Sequence, residues 1–87
     1  MHRALSLRER HVLAAARDGF NSADTALKLG LSLHTVRHHW ANAHEKLGTS
    51  SRTHAVVIAI LRDELSLWPL SPAEQDYLKR YWDVEVA

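Results

Sequence analysis

At 87 residues, with 46% hydrophobic content and only three glycines, the chain suits one small folded domain, and its lack of cysteine excludes a disulfide framework. The longest apolar run, AVVIAIL at 55–61, is far too short to span a bilayer, and the start MHRALSLRER lacks the apolar stretch of a signal peptide. The overall charge of +1 hides an asymmetry: residues 1–62 carry nine Lys/Arg against four Asp/Glu, and residues 63–87 two against six. A basic body before an acidic tail points to an anionic partner for the body, with an ordinary solvated surface as the alternative.

The predicted elements are all helical. In SLRE, Ser6 is placed to cap a first helix and Glu9 to bond back to the cap; Val12, Leu13 and Ala16 follow at helical spacing, and Gly19 ends the run. Asn21 or Ser22 starts a short second helix ending at Gly30, with Ala26 and Leu29 inward. Ser32 caps a third helix that runs to Leu47 and stops at Gly48. Ser50 or Ser51 caps a fourth, spanning about Arg52 to Leu65. SPAE then restarts the signal: Ser71 as cap, Pro72 at the first helical position and Glu74 completing the box predict a fifth helix over 72–82.

On a helical wheel of the third helix, Val36, Trp40, Ala43 and Leu47 form one stripe, the expected buried side. His34, His38, Ala41 and Glu45 point the opposite way; Arg37 and His44 lie on one flank, and Thr35, His39, Asn42 and Lys46 on the other. A short helix, a Gly–Leu–Ser turn and a helix with a polar outer face form a helix-turn-helix, whose second helix enters the major groove of DNA.

LSLRERHVL, Gly19 and ALKLGLSLHTVRHHWANAHEKLGTSSRTHAV together resemble the LuxR-type (GerE-type) DNA-binding domain over roughly residues 5–65. Its most specific elements here are Glu9 with Val12 and Leu13, Ser32, Thr35–Val36–Arg37, His39, Lys46–Leu47–Gly48, and Arg52 with Ala55. Region 4 of sigma factors shares the helix-turn-helix pattern but does not usually continue into KLGTSSRTHA. The resemblance implies a four-helix domain, all α, whose third helix reads DNA and whose fourth pairs with its copy. Carried over by position, the DNA-binding set is Ser32, His34, Thr35, Val36, Arg37, His38, His39, Asn42 and Lys46. Within it Thr35 and His39 would touch phosphates, Arg37 and His38 would reach base edges, Val36 would sit at the protein–DNA boundary, and Lys46 would reinforce backbone contact. Arginine suits this role because it donates two parallel hydrogen bonds to guanine O6 and N7.

Three departures from the family pattern stand out. Thr25 and Ala43 occupy positions where the family usually has isoleucine, while Trp40 replaces a medium aliphatic residue, so the indole is expected to fill the vacated volume. Ala23, followed by Asp24, removes a basic residue from the second helix, and Ala41 removes a long polar side chain from the reading surface.

The fourth helix is apolar around most of its circumference. Ala55, Ile58 and Ala59 are expected to face the core, leaving Val56, Val57 and Ile60 for a dimer partner or for burial beneath the fifth helix. Residues 66–87 add an acidic, aromatic extension in which Tyr77, Leu78, Tyr81 and Trp82 form a ridge behind Trp68. It would widen a dimer interface, cap the fourth helix, present an acidic surface to another protein, or dock over the basic face.

No phosphate-binding glycine loop, Ser/His/Asp order or zinc-protease signature is present, so an enzyme is not expected. His34 and His38 lie one turn apart, but two side chains on a face without cysteine make a poor zinc site; neither metal, cofactor nor small-molecule ligand is expected. A neighbouring phosphate should favour charged His38 and His39, so DNA binding should tighten as pH falls from about 7.5 to 6. The leading expectation is a stand-alone, cytosolic, nucleoid-associated transcriptional regulator, a homodimer reading an inverted repeat of double-stranded DNA. The alternative is a protein-interaction module that pairs with another regulator, or with RNA polymerase or another transcription factor, through residues 52–65 and the extension.

Overall fold

The structure, a computed structural model, describes residues 3–66; the expected helix over 72–82 and its aromatic ridge lie outside them. The described residues form four helices and no strand: α1 (Leu7–Arg17), α2 (Ser22–Leu29), α3 (Leu33–Leu47) and α4 (Arg52–Leu61).

Each start follows from a side chain that satisfies an otherwise unpaired backbone N–H. Ser6 Oγ accepts from the Glu9 N–H at 3.1 Å, and Glu9 Oε1 accepts from the Ser6 N–H at 2.9 Å, a complete capping box. Asn21, rather than Ser22, caps α2; Ser32 caps α3; and Ser51, rather than Ser50, caps α4. The turn between α2 and α3 depends on Gly30, whose φ of 68° lies in the left-handed region that side chains other than glycine rarely adopt. There the Leu31 N–H reaches back to the Ala26 carbonyl at 2.9 Å, closing α2 and turning Leu31 toward the core.

The fourth helix ends four residues earlier than its apolar pattern suggests. Asp63 adopts φ 60°, and the N–H groups of Asp63 and Glu64 bond the carbonyls of Ile60 and Ala59 at 3.0 Å each. This is the closing motif usually built on glycine. The reversal lets Leu65 fold back into the core, where only 8% of its surface stays exposed.

α3 packs against α1, α2 and α4, and α1 also packs against α4. Val12, Leu13, Val36, Ala43, Ala55 and Ala59 are fully enclosed, and Trp40 joins them at 4% exposure. The buried stripe of α3 is therefore the one its periodicity marks, with Leu47 packed at the edge. Ala55 and Ala59 supply the core face of α4 as expected, whereas Ile58 is only half-buried. Thr25 is buried too, its hydroxyl satisfied by the Asn21 carbonyl at 2.7 Å.

Candidate nucleic-acid interface

The polar face of α3 rests on a tightly held helix. Ser32 Oγ accepts from the Thr35 N–H at 3.1 Å and lies 2.9 Å from the Thr35 hydroxyl, so the first turn is fixed from both atoms. No carboxylate occupies that turn, and the free N–H ends of the helix leave it favourable to anions. Ser32, His34, Arg37 and His38 are exposed along it; Thr35, His39 and Asn42 are half-buried at its margin. His38 Nε2 lies 3.3 Å from Asn42 Nδ2, so ring and amide form a pair one helical turn apart. The adjacent His38 and His39 rings stand 6.2 Å apart and tilted by 53°, directed to different parts of the surface. Among the described residues, no three His, Cys, Asp or Glu side chains come together as a metal-binding group.

Two of the expected contact residues are engaged within the fold. Val36 has no exposed area, because its position on the inner stripe places it against the other helices. Lys46 is turned inward: its Nζ donates to Glu9 Oε1 at 2.8 Å and to the Ala4 carbonyl at 3.3 Å. Burial pushes the Glu9 carboxyl up, but the hydrogen bond and charge of Lys46, with the Ser6 cap, outweigh it and hold the group below its ordinary range. Lys46 therefore balances a buried carboxylate and ties the end of α3 to the start of α1.

A second support was not legible in the local pattern. The Arg52 guanidinium lies over the Trp40 indole, 4.7 Å from its centroid, and donates to the Ser22 hydroxyl. It thereby links the starts of α2 and α4 to the middle of α3. His44 completes the cluster, with its ring 5.3 Å from the Trp40 ring and Nδ1 2.9 Å from Thr49 Oγ1. Burial, and then the nearby Arg52 charge, lower the His44 pKa below its ordinary value. At the far end, Arg62 donates to the carbonyls of Lys46 at 3.3 Å and Arg3 at 2.8 Å, a cation placed at the C-terminus of α3.

Val56, Val57 and Ile60 share one open, mostly apolar groove of about 530 Å³ with Phe20 and the side chains of Arg17 and Arg52. Val57 is 47% exposed, while Val56 and Ile60 also pack partly against the core.

A capped short helix, a three-residue turn and a longer helix with a buried inner stripe and a polar, carboxylate-free leading edge define a helix-turn-helix domain of the DNA-binding regulatory class. The chain belongs to the luxR family of bacterial regulatory proteins, whose family pattern matches residues 3–59. It is 38% identical over 63 residues to the spore germination protein GerE of Bacillus subtilis (strain 168), an overlap of 72% of this chain and 85% of that protein. It is 39% identical over 57 residues to the probable transcriptional regulatory protein SgaR of Hyphomicrobium methylovorum, covering 66% of this chain and 27% of SgaR. The putative HTH-type transcriptional regulator y4qH of Sinorhizobium fredii (strain NBRC 101917 / NGR234) is 44% identical over 57 residues, 66% of this chain and 18% of y4qH. The chain thus spans only a minor part of these last two relatives. The solved structure of the transcription factor GerE superposes with a TM-score of 0.69 at 34% identity, over 76% of this chain and 100% of that one. These relatives are regulators rather than enzymes. Among the described residues, no helix is long and apolar enough to cross a membrane.

Proposed function

We propose that the chain regulates transcription by placing the N-terminal half of α3 in the major groove of double-stranded DNA. The observation that carries this reading is the exposure of His34, Arg37 and His38 on the first turns of a helix whose opposite side is locked in the core. Arg37 and His38 read base edges, and Ser32, Thr35 and His39 meet phosphates, with Asn42 holding the His38 ring. Two copies pair through Val56, Val57 and Ile60 of α4, so that their α3 helices address an inverted repeat with half-sites about 34 Å apart. With Lys46 committed to Glu9, few cations remain at the interface, so binding is modest and its salt dependence shallow.

Selection from random double-stranded DNA, followed by binding measurements at two salt concentrations, tests this. Enrichment of an inverted repeat supports it; no enriched sequence sinks it.

A protein-pairing role is the second reading. It draws on Asp24 in the first turn of α2, where a carboxylate disfavours a phosphate, and on the apolar groove of α4. Recovery of a defined partner by a chain that enriches no DNA sequence would favour it.

A further inference from the structure

The groove beside α4 has a candidate occupant in the chain itself. Its apolar walls are Phe20, Val56, Val57 and Ile60, and its charged margin is Arg17 and Arg52. Arg17 is not a loose side chain: its guanidinium grips Asp18 at 2.9 and 3.2 Å, and only 11% of the side chain is exposed. The same guanidinium donates from Nη1 to the carbonyl of Ser66 at 2.8 Å. Ser66 is the last described residue, and Leu65 before it is buried in the core. The chain is therefore delivered to the edge of the groove with 21 residues still to come.

Those residues match the groove in chemistry. Residues 67–87 contain Trp68, Tyr77, Tyr81 and Trp82, and carry four carboxylates against two cations. We propose that residues 67–87 dock in cis into the groove between the α1–α2 turn and α4, with aromatic rings against Val56, Val57 and Ile60 and carboxylates near Arg17 and Arg52. Length is ample, since 21 residues extended reach roughly 70 Å. Tethering at Ser66 keeps the segment at a local concentration in the millimolar range, which a second molecule in dilute solution does not match. Charge points the same way at Arg52: a second copy brings another Arg52 toward the first, whereas the acidic segment neutralises it, Arg17 being already paired with Asp18.

The docked segment covers the residues through which two copies would pair, so it competes with dimerisation. That consequence, unlike the docking itself, rests on the α4 pairing proposed above.

The test uses the full chain. Methyl-labelled protein should show nuclear Overhauser contacts between the tail rings and the Val56, Val57 and Ile60 methyls. A mixture of methyl-labelled and unlabelled copies, filtered for intermolecular contacts, should show none between them. Val57→Asp, at a half-exposed position outside the core, should remove the contacts while the remaining core methyl shifts stay in place. Intermolecular contacts would overturn the proposal by making a second copy the occupant, and so would tail contacts elsewhere or none at all. For the competition, Trp68→Ser combined with Trp82→Ser should tighten self-association about tenfold or more in sedimentation velocity. Unchanged or weaker association with the docking contacts intact in the parent chain would overturn the competition alone, and DNA selection reports separately on α3.

Discussion

The contact between Lys46 and Glu9 shows how one residue can be claimed by two roles. Near the end of a recognition helix a lysine suits a phosphate, yet Glu9 sits at 4% exposure with its carboxylate already used by the α1 cap. A buried carboxylate left without its cation is costly, so the internal claim on Lys46 wins. Lys46→Met should destabilise the fold by about 3 kcal/mol in urea unfolding, far more than loss of a surface cation. His44 gives a pH-dependent counterpart. Its pKa is lowered in the folded state, so as pH falls the unfolded chain takes up the proton first. The stability contributed by neutral His44 is complete above its ordinary value of 6.5 and is lost as pH falls through the lowered folded-state value. Urea midpoints between pH 7.5 and 5 should therefore decline less in His44→Gln than in the parent chain. At the reading edge, Arg37→Ala should cost about 1–3 kcal/mol against the selected DNA and relax preference at one base position, as read by competition binding.

At the level of elements, helix ends decide where the proposed recognition surface lies. Ser32 fixes the start of α3 through both its backbone-accepting oxygen and the Thr35 hydroxyl. Ser32→Ala should lower stability by about 1 kcal/mol and, if the first turn makes the proposed contacts, weaken DNA binding further. The end of α4 is set by a different device, with Asp63 at φ 60° doing what glycine usually does. Asp63→Gly should keep the reversal and raise the urea midpoint slightly, while a β-branched valine there should lower it. The two outcomes together test whether the left-handed turn is what stops α4 and sends Leu65 inward.

At the largest scale, the described residues form a small core that carries two dissimilar surfaces, the polar edge of α3 and the apolar groove of α4. Trp40 and Arg52 lie between them, the indole in the core and the guanidinium spanning from Ser22 to the groove margin. Trp40→Leu should remove a buried indole from the emission spectrum and cost about 2 kcal/mol or more, since leucine leaves a cavity and strips Arg52 of its ring. If two copies read one inverted repeat, inserting about half a DNA turn between half-sites should abolish tight binding, because a closed two-fold pair cannot follow the rotated site.

The sequence by itself determined the helical class, the caps at Ser6 and Ser32, and the buried stripe through Val36, Trp40 and Ala43. These are local matters: a cap acts over three residues, and an amphipathic stripe follows from the pitch of one helix. The same locality made Arg37 and His38 legible as outward-facing residues. Only the tertiary structure decided that Lys46 belongs to Glu9, 37 residues away, and that Arg52 lies over Trp40. It also decided that α4 stops at Leu61, because ending there lets Leu65 fill the core while Arg17 holds the Ser66 carbonyl. Charge and polarity mark which side chains are able to bind an outside partner, but pairing across the fold determines which of them remain free to do so.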